Sequence, residues 1–139
     1  MKAISLWEPW ASAIAYRPEH HGILAAEGIT AQKRIETRKW YTRYRGDLVI
    51  CSTKNPKVAG LPLGMAVCIA EVVDCRRMKR TDELAAQCTF EPGRYAWILG
   101  NIRPVIPPFA VKGAQGFFEV DTSLLPFPVE KDKQLVFDF

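Results

Sequence analysis

Residues Met65–Cys75, MAVCIAEVVDC, carry the strongest strand signal in the chain, an apolar and β-branched run interrupted by Glu71. A strand of this kind is not stable alone in water and needs partner strands. The chain supplies candidates. Lys2–Leu6 reads as an opening strand, Leu48–Ser52 (LVICS) and Tyr95–Leu99 (YAWIL) as buried strands, and Phe117–Val120 (FFEV) as a closing one. From Glu36 the pattern is again β-like, with Glu36, Arg38 and Trp40 on one parity and Thr37, Lys39 and Tyr41 on the other. Lys33 has the wrong parity to join Glu36 on a regular strand, so it belongs to the preceding loop or to a bulge. Turns or loops fall at Tyr41–Asp47, Thr53–Leu63 and Lys112–Gly116, which are marked by glycine, proline or both. Three prolines within Arg103–Pro108 exclude a central strand there, because proline donates nothing to a ladder. Short helices are expected from Pro9, over Ile23–Glu27 up to Gly28, and from Thr81-Asp82-Glu83, where a capping residue precedes two acids. Arg17–Gly22, with Pro18, His20 and His21, reads as a loop. The expected architecture is α+β, a small β-barrel of five to six strands with two or three short flanking helices. It spans residues 1–125. Residues 126–139 form a C-terminal tail whose apolar end, LVFDF, either docks or frays.

A length of 139 residues suits one domain, and 48% hydrophobic residues are enough for a packed core. The start, MKAISLWEPW, does not read as a signal peptide, and no run of roughly 18 apolar residues predicts a membrane span. Cys51, Cys68, Cys75 and Cys88 form no CxxC pair, and Cys51 and Cys68 sit in apolar runs as small core residues. No metal site is expected from this spacing, and a reducing cytoplasm is the expected compartment. GxGxxG, P-loop and HExxH motifs are absent, so dinucleotide, NTPase and zinc-protease functions have no support and no cofactor is expected.

The chemistry-bearing stretch is Lys33–Arg45, KRIETRKWYTRYR. It holds six basic residues, three aromatics and a single carboxylate, Glu36. Its net charge of +5 exceeds the +4 of the whole chain, so the positive field has one address. Cations among aromatic rings suit a phosphate-bearing ligand with bases to stack. A solvated charged strand, or a Glu36–Arg38 ion pair that merely fixes the fold, accounts for the same residues. Arg76, Arg77, Lys79 and Arg80 make a second, weaker basic knot.

The run Lys33-x-x-Glu36-x-Arg38 followed by Trp40 resembles the signature of the ASCH domain (ASC-1 homology) family, of PUA-like fold. The opening ISLWEPWA and the closing KGAQGFFEV resemble that family's strand–proline–helix start and its last strand, so the likeness spans about residues 2 to 121. Two positions depart from the pattern: Ala31 stands where the family usually has glycine, and Glu8 where many members have glutamine. The resemblance implies a β-barrel with a cleft lined by the motif and recognition of RNA or of a modified nucleoside. In the binding reading, Arg38, Arg45 and Lys112 contact phosphates, Trp40, Trp10 or Tyr44 stacks a base, and Glu36 accepts from a base amino group or holds Arg38. The resemblance also implies an alternative, an amidohydrolase acting on an acylated nucleoside such as N4-acetylcytidine through a lysine, here Lys33, and an acidic residue. Those members carry threonine where Glu36 stands, so Glu36 as the second catalytic residue is a candidate of this chain's own chemistry, as a proton acceptor. Lys33 is then the nucleophile or base, which requires its pKa to fall through burial or through Arg34 and Arg38. Backbone N–H groups of the helix after Glu8 are candidates for an oxyanion site. A ribonuclease reading is weaker, because no paired histidines are positioned for it. The sequence leaves the oligomeric state open.

Overall fold

The structure, a computed structural model, describes residues 1–125. The expected tail, including LVFDF, lies outside the described residues. Among the described residues six strands are formed: β1 (Lys2–Leu6), β2 (Ile35–Arg38), β3 (Gly46–Ser52), β4 (Met65–Arg77), β5 (Tyr95–Ala110) and β6 (Phe118–Glu119). Three short α-helices accompany them: α1 (Trp10–Ala15), α2 (His21–Ala26) and α3 (Glu83–Ala86).

The strands form one mixed sheet in the order β2-β5-β4-β3-β1-β6. Only β1 and β3 run parallel; every other neighbouring pair is antiparallel. The α+β class with short helices stands, but the expected β-barrel does not, because the sheet is open. Its edge strands are β2, of four residues, and β6, of two, and they do not pair with each other. The strands are also less uniform than the turn pattern predicts. β4 and β5 run for 13 and 16 residues, with three register shifts that bend the ladder in place of turns. Arg103–Pro108 is therefore strand, within β5. β2 pairs only with Tyr95–Ile98 of β5, so the proline half has β4 on one side and an open edge on the other. Proline at an open edge withholds N–H groups that another chain would otherwise pair with.

The continuous apolar strands are explained by two cores, one on each face. LVICS splits by parity: Leu48 and Ile50 face one cluster with Ile4, Ile14 and Trp97, while Val49 and Cys51 face another with Ala3, Ile69 and Val105. Truncating a buried Ile or Leu in such a core costs about 2–5 kcal/mol. α1 closes the first cluster through Ala11, Ile14 and Ala15. It begins after Pro9 and ends where Tyr16 turns left-handed, at φ 47. All four cysteines are unpaired, and Cys51 and Cys68 are buried in the two cores. The Arg17–Gly22 segment is helical, a 3-10 turn at Pro18–His20 running into α2. His21 stacks on Tyr16 with ring centroids 4.0 Å apart.

Candidate functional site

The loop before β2 is clamped by backbone from both sides. The Lys33 N–H donates to the Ala13 carbonyl of α1 at 3.0 Å, and the Arg34 N–H donates to Ala85 of α3 at 2.9 Å. This fixes Lys33 off the strand, where its parity conflict with Glu36 vanishes. The side chain turns inward and is 5% exposed. Its ammonium donates to the Ala86 carbonyl at the last turn of α3, where a cation is favoured. It also lies 5.5 Å from the centre of the Trp10 ring and 3.8 Å from Glu36 Oε1.

Glu36 is buried in the middle of this group. Its Oε2 accepts from Arg38 Nε at 3.0 Å, and the Arg38 guanidinium continues to the Ser5 carbonyl of β1 at 3.2 Å. Its Oε1 has the Lys33 ammonium at 3.8 Å, too far for a hydrogen bond, and accepts none from the described residues. Burial pushes the Lys33 pKa down, while the Glu36 carboxylate and the Cys88 thiol beside it push it up. Of the two causes expected from the sequence, burial and the neighbouring arginines, the lowering comes from burial and not from Arg34 or Arg38.

Strand register supplies the aromatic wall. Trp97 of β5 is directly opposite Glu36 and fully buried. Trp40 meets it edge-on, with centroids 4.8 Å apart, and stays 39% exposed; Phe117 lies 5.6 Å from Trp40 and 5.7 Å from Trp97. Lys2 Nζ sits 5.4 Å from the Phe117 ring centre. This cluster, called the notch below, thus gathers cations, one under-bonded carboxylate and an accessible indole on one side of the sheet.

The motif lies in the part of the chain that matches a known family, the ASCH domain, over residues 26–109. The chain belongs to the ASCH domain family. That match takes in Lys33, Glu36, Arg38 and Trp40; ISLWEPWA and KGAQGFFEV fall outside it. No curated protein matches significantly. Among solved structures, the ASCH protein of Zymomonas mobilis is 13% identical, with a TM-score of 0.59 over 99% of this chain and 94% of that one. Two mutants of the Zymomonas mobilis protein, a tyrosine-to-phenylalanine and a serine-to-alanine variant, each give a TM-score of 0.55 at 14% identity. Each covers 97% of this chain and, in turn, 95% and 93% of its own. These likenesses establish a shared fold. ASCH membership accords with an RNA- or nucleotide-related role, and among the described residues no helix is long and apolar enough to cross a membrane.

Within this ASCH domain the other sequence candidates are distributed differently. Trp10 joins the Lys33 group directly. Arg45 does not: its guanidinium donates to the Thr42 and Tyr44 carbonyls, both at 2.9 Å, and lies 3.6 Å from Asp74. Lys112 is exposed on the loop whose next residue, Gly113, packs so close to Ser5 Oγ that a Cβ would stand 2.6 Å from it. Ser5 is the residue whose carbonyl holds Arg38, so that loop borders the notch. The α1 N-terminus is occupied. The buried Glu8 carboxylate takes the Ser12 N–H at 2.8 Å, and its second oxygen takes the Ser12 hydroxyl. Burial raises the Glu8 pKa against these two bonds. The Ser12 N–H is therefore not free for an oxyanion. Trp97, Phe117, Ser5 and the Ala86 carbonyl were not singled out from sequence. YAWIL gave Trp97 a strand but not its opposite number, which only the register fixes.

Proposed function

We propose that this ASCH domain recognises RNA or a nucleotide at the notch formed by Lys33, Glu36, Arg38, Trp10 and Trp40. The observation that carries the reading is the Glu36 carboxylate. It is buried, anchored through one oxygen by Arg38, and free of hydrogen bonds among the described residues at the other. A base amino group is a fitting donor for such an oxygen, and the exposed face of Trp40 is a platform for its ring. Arg38 and Lys112 are the phosphate contacts in this reading. Four unpaired thiols accord with a cytoplasmic setting. The test is titration of labelled single-stranded RNA at low and moderate salt. Binding is expected to weaken with salt, and Trp40→Ala to cost about 1–3 kcal/mol of affinity. Salt-insensitive binding, or none, sinks the reading.

A second reading is supported by Lys33. A buried lysine with a lowered pKa, beside a carboxylate able to take its proton, suits hydrolysis of an acylated nucleoside such as N4-acetylcytidine. Lys33 is the nucleophile or base and Glu36 the proton acceptor. Ultraviolet-monitored hydrolysis of N4-acetylcytidine by wild type and Lys33→Ala tests it; equal rates remove Lys33 from the chemistry.

A further inference from the structure

The face that carries the notch continues one row further along the sheet, and of that row only Arg38 has a role so far. Register sets Glu36, Trp97 and Cys75 side by side across β2, β5 and β4, and then Arg38, Tyr95 and Arg77. The two rows are separated by two residues of strand, about 7 Å. Consecutive aromatics of the Lys39–Arg45 loop are clipped onto them. Trp40 meets Trp97 edge-on, and Tyr41 meets Tyr95 in the same way with centroids 5.8 Å apart. Cations flank the second pair. The Arg77 guanidinium lies 5.7 Å from the Tyr95 ring and that of Arg45 lies 6.0 Å from the Tyr41 ring. Tyr41 is 48% exposed, and Arg77 makes no salt bridge among the described residues. Its neighbour Arg76 is different, being tied to Asp82 through both guanidinium nitrogens.

We propose that the Arg77–Tyr95–Tyr41–Arg45 stripe is a second subsite, which takes the neighbouring nucleotides of a single-stranded polynucleotide whose one base occupies the notch. The inference rests on the nucleotide-binding reading above and adds to it that the natural ligand is a strand, not a free nucleoside. The exposed Tyr41 ring next to Arg77, which has no acidic partner among the described residues, suits base stacking together with phosphate contact, and Arg45, 3.6 Å from Asp74, borders it as a partly neutralised cation. An acidic peptide needs the cations but leaves the tyrosine faces without a role.

Fluorescence polarisation with oligocytidylate of about four to eight nucleotides, against cytidine monophosphate as competitor, tests this. Wild type, Tyr41→Ala, Arg77→Ala and Trp40→Ala are compared; all three side chains are surface-accessible. The wild type is expected to bind the oligomer at least about tenfold more tightly than the mononucleotide. Tyr41→Ala is expected to lose about five- to tenfold on the oligomer while keeping mononucleotide affinity. Arg77→Ala should lower the salt slope by about 0.7. Loss in Trp40→Ala with none in Tyr41→Ala or Arg77→Ala overturns the stripe and leaves the notch reading standing. Loss in the latter two with none in Trp40→Ala overturns the notch reading instead. Polyglutamate competing as well as the oligomer reassigns the stripe to acidic proteins and overturns the inference.

Discussion

Two basic segments of this chain each enclose one buried acid, and they use it in opposite ways. In the segment from Arg76 to Asp82 the carboxylate is saturated. Arg76 donates to both Asp82 oxygens, at 2.8 and 2.9 Å, and the Lys79 N–H adds a third bond at 2.7 Å. The Arg76 hydrogen bonds hold the Asp82 pKa below the usual carboxylate range. In the segment from Lys33 to Arg45 the carboxylate is left half bonded, with one oxygen on Arg38 and the other 3.8 Å from an ammonium that already donates to Ala86. A saturated acid locks a turn and has nothing left to offer a ligand. An under-bonded one keeps an acceptor oxygen in reserve for a ligand.

The largest effect should come from breaking the saturated pair. Asp82→Ala removes the cap of the turn before α3 and leaves Arg76 unpaired. Removing one partner of a buried pair costs about 3–5 kcal/mol. The Arg76 side chain is 34% exposed, so about 2–3 kcal/mol is expected from urea unfolding. The Asp82 contribution is present above its ordinary pKa and is lost as pH falls through its lower native value, so the deficit of Asp82→Ala should shrink in acid. Affinity for single-stranded RNA should not fall, because Asp82 offers a ligand nothing and the freed Arg76 lies next to Arg77. A variant as stable as wild type, or one that loses RNA binding while folded, breaks the contrast.

A smaller and complementary effect is expected at the notch. Glu36→Gln keeps the shape and the acceptor oxygen but removes the charge that faces Lys33 and Arg38. It should cost less than about 1.5 kcal/mol of stability, because Arg38 is 24% exposed and keeps its bond to Ser5. Oligonucleotide affinity should change by more than stability does. If unfolding and binding shift equally, Glu36 is a fold-fixing ion pair like Asp82.

How far the sequence reveals this contrast differs along the chain. The strand positions, the six-residue α1 and the odd parity of Lys33 were legible, because apolar periodicity and proline placement are local. Closure of the sheet was not. It depends on whether β2 and β6 meet, and two short edge strands carry no signal about distant partners. Nor was the strand nature of Arg103–Pro108 legible, since it rests on β2 beginning only at Ile35, opposite Ile98, and leaving that stretch at an edge. The notch was half legible. Residue content placed Lys33, Glu36 and Arg38 in one stretch and offered Trp10 only as one of three stacking rings, and register alone brings in Trp97. The same register sets Arg77 beside Tyr95, while Arg45 goes to Asp74. The two acids were indistinguishable in sequence, each being one carboxylate among several arginines and lysines.

The finest test of the contrast is the titration of Lys33. Burial holds its pKa below the ordinary 10.5. Below the native pKa both states carry the proton, and the cost of the buried ammonium is fully present. Between the native pKa and 10.5 the native state has released a proton that the unfolded state still binds, so stability rises with pH. Tyr44 and Cys51 oppose this at alkaline pH. Burial pushes both upward, Cys51 to about 12, so the native state there binds more protons than the unfolded one. The Lys33 contribution therefore has to be read as a difference, wild type minus Lys33→Met, from urea unfolding at successive pH values. That difference should climb as pH approaches 10.5, by at most about 1.4 kcal/mol per pH unit. In a Glu36→Gln background the climb should begin at lower pH, because the carboxylate that favours the ammonium is gone. A flat difference would mean that Lys33 stays an ordinary ammonium in the native state. The notch would then hold its lysine as firmly charged as the Asp82 turn holds its arginine, and the hydrolytic reading would lose its neutral amine.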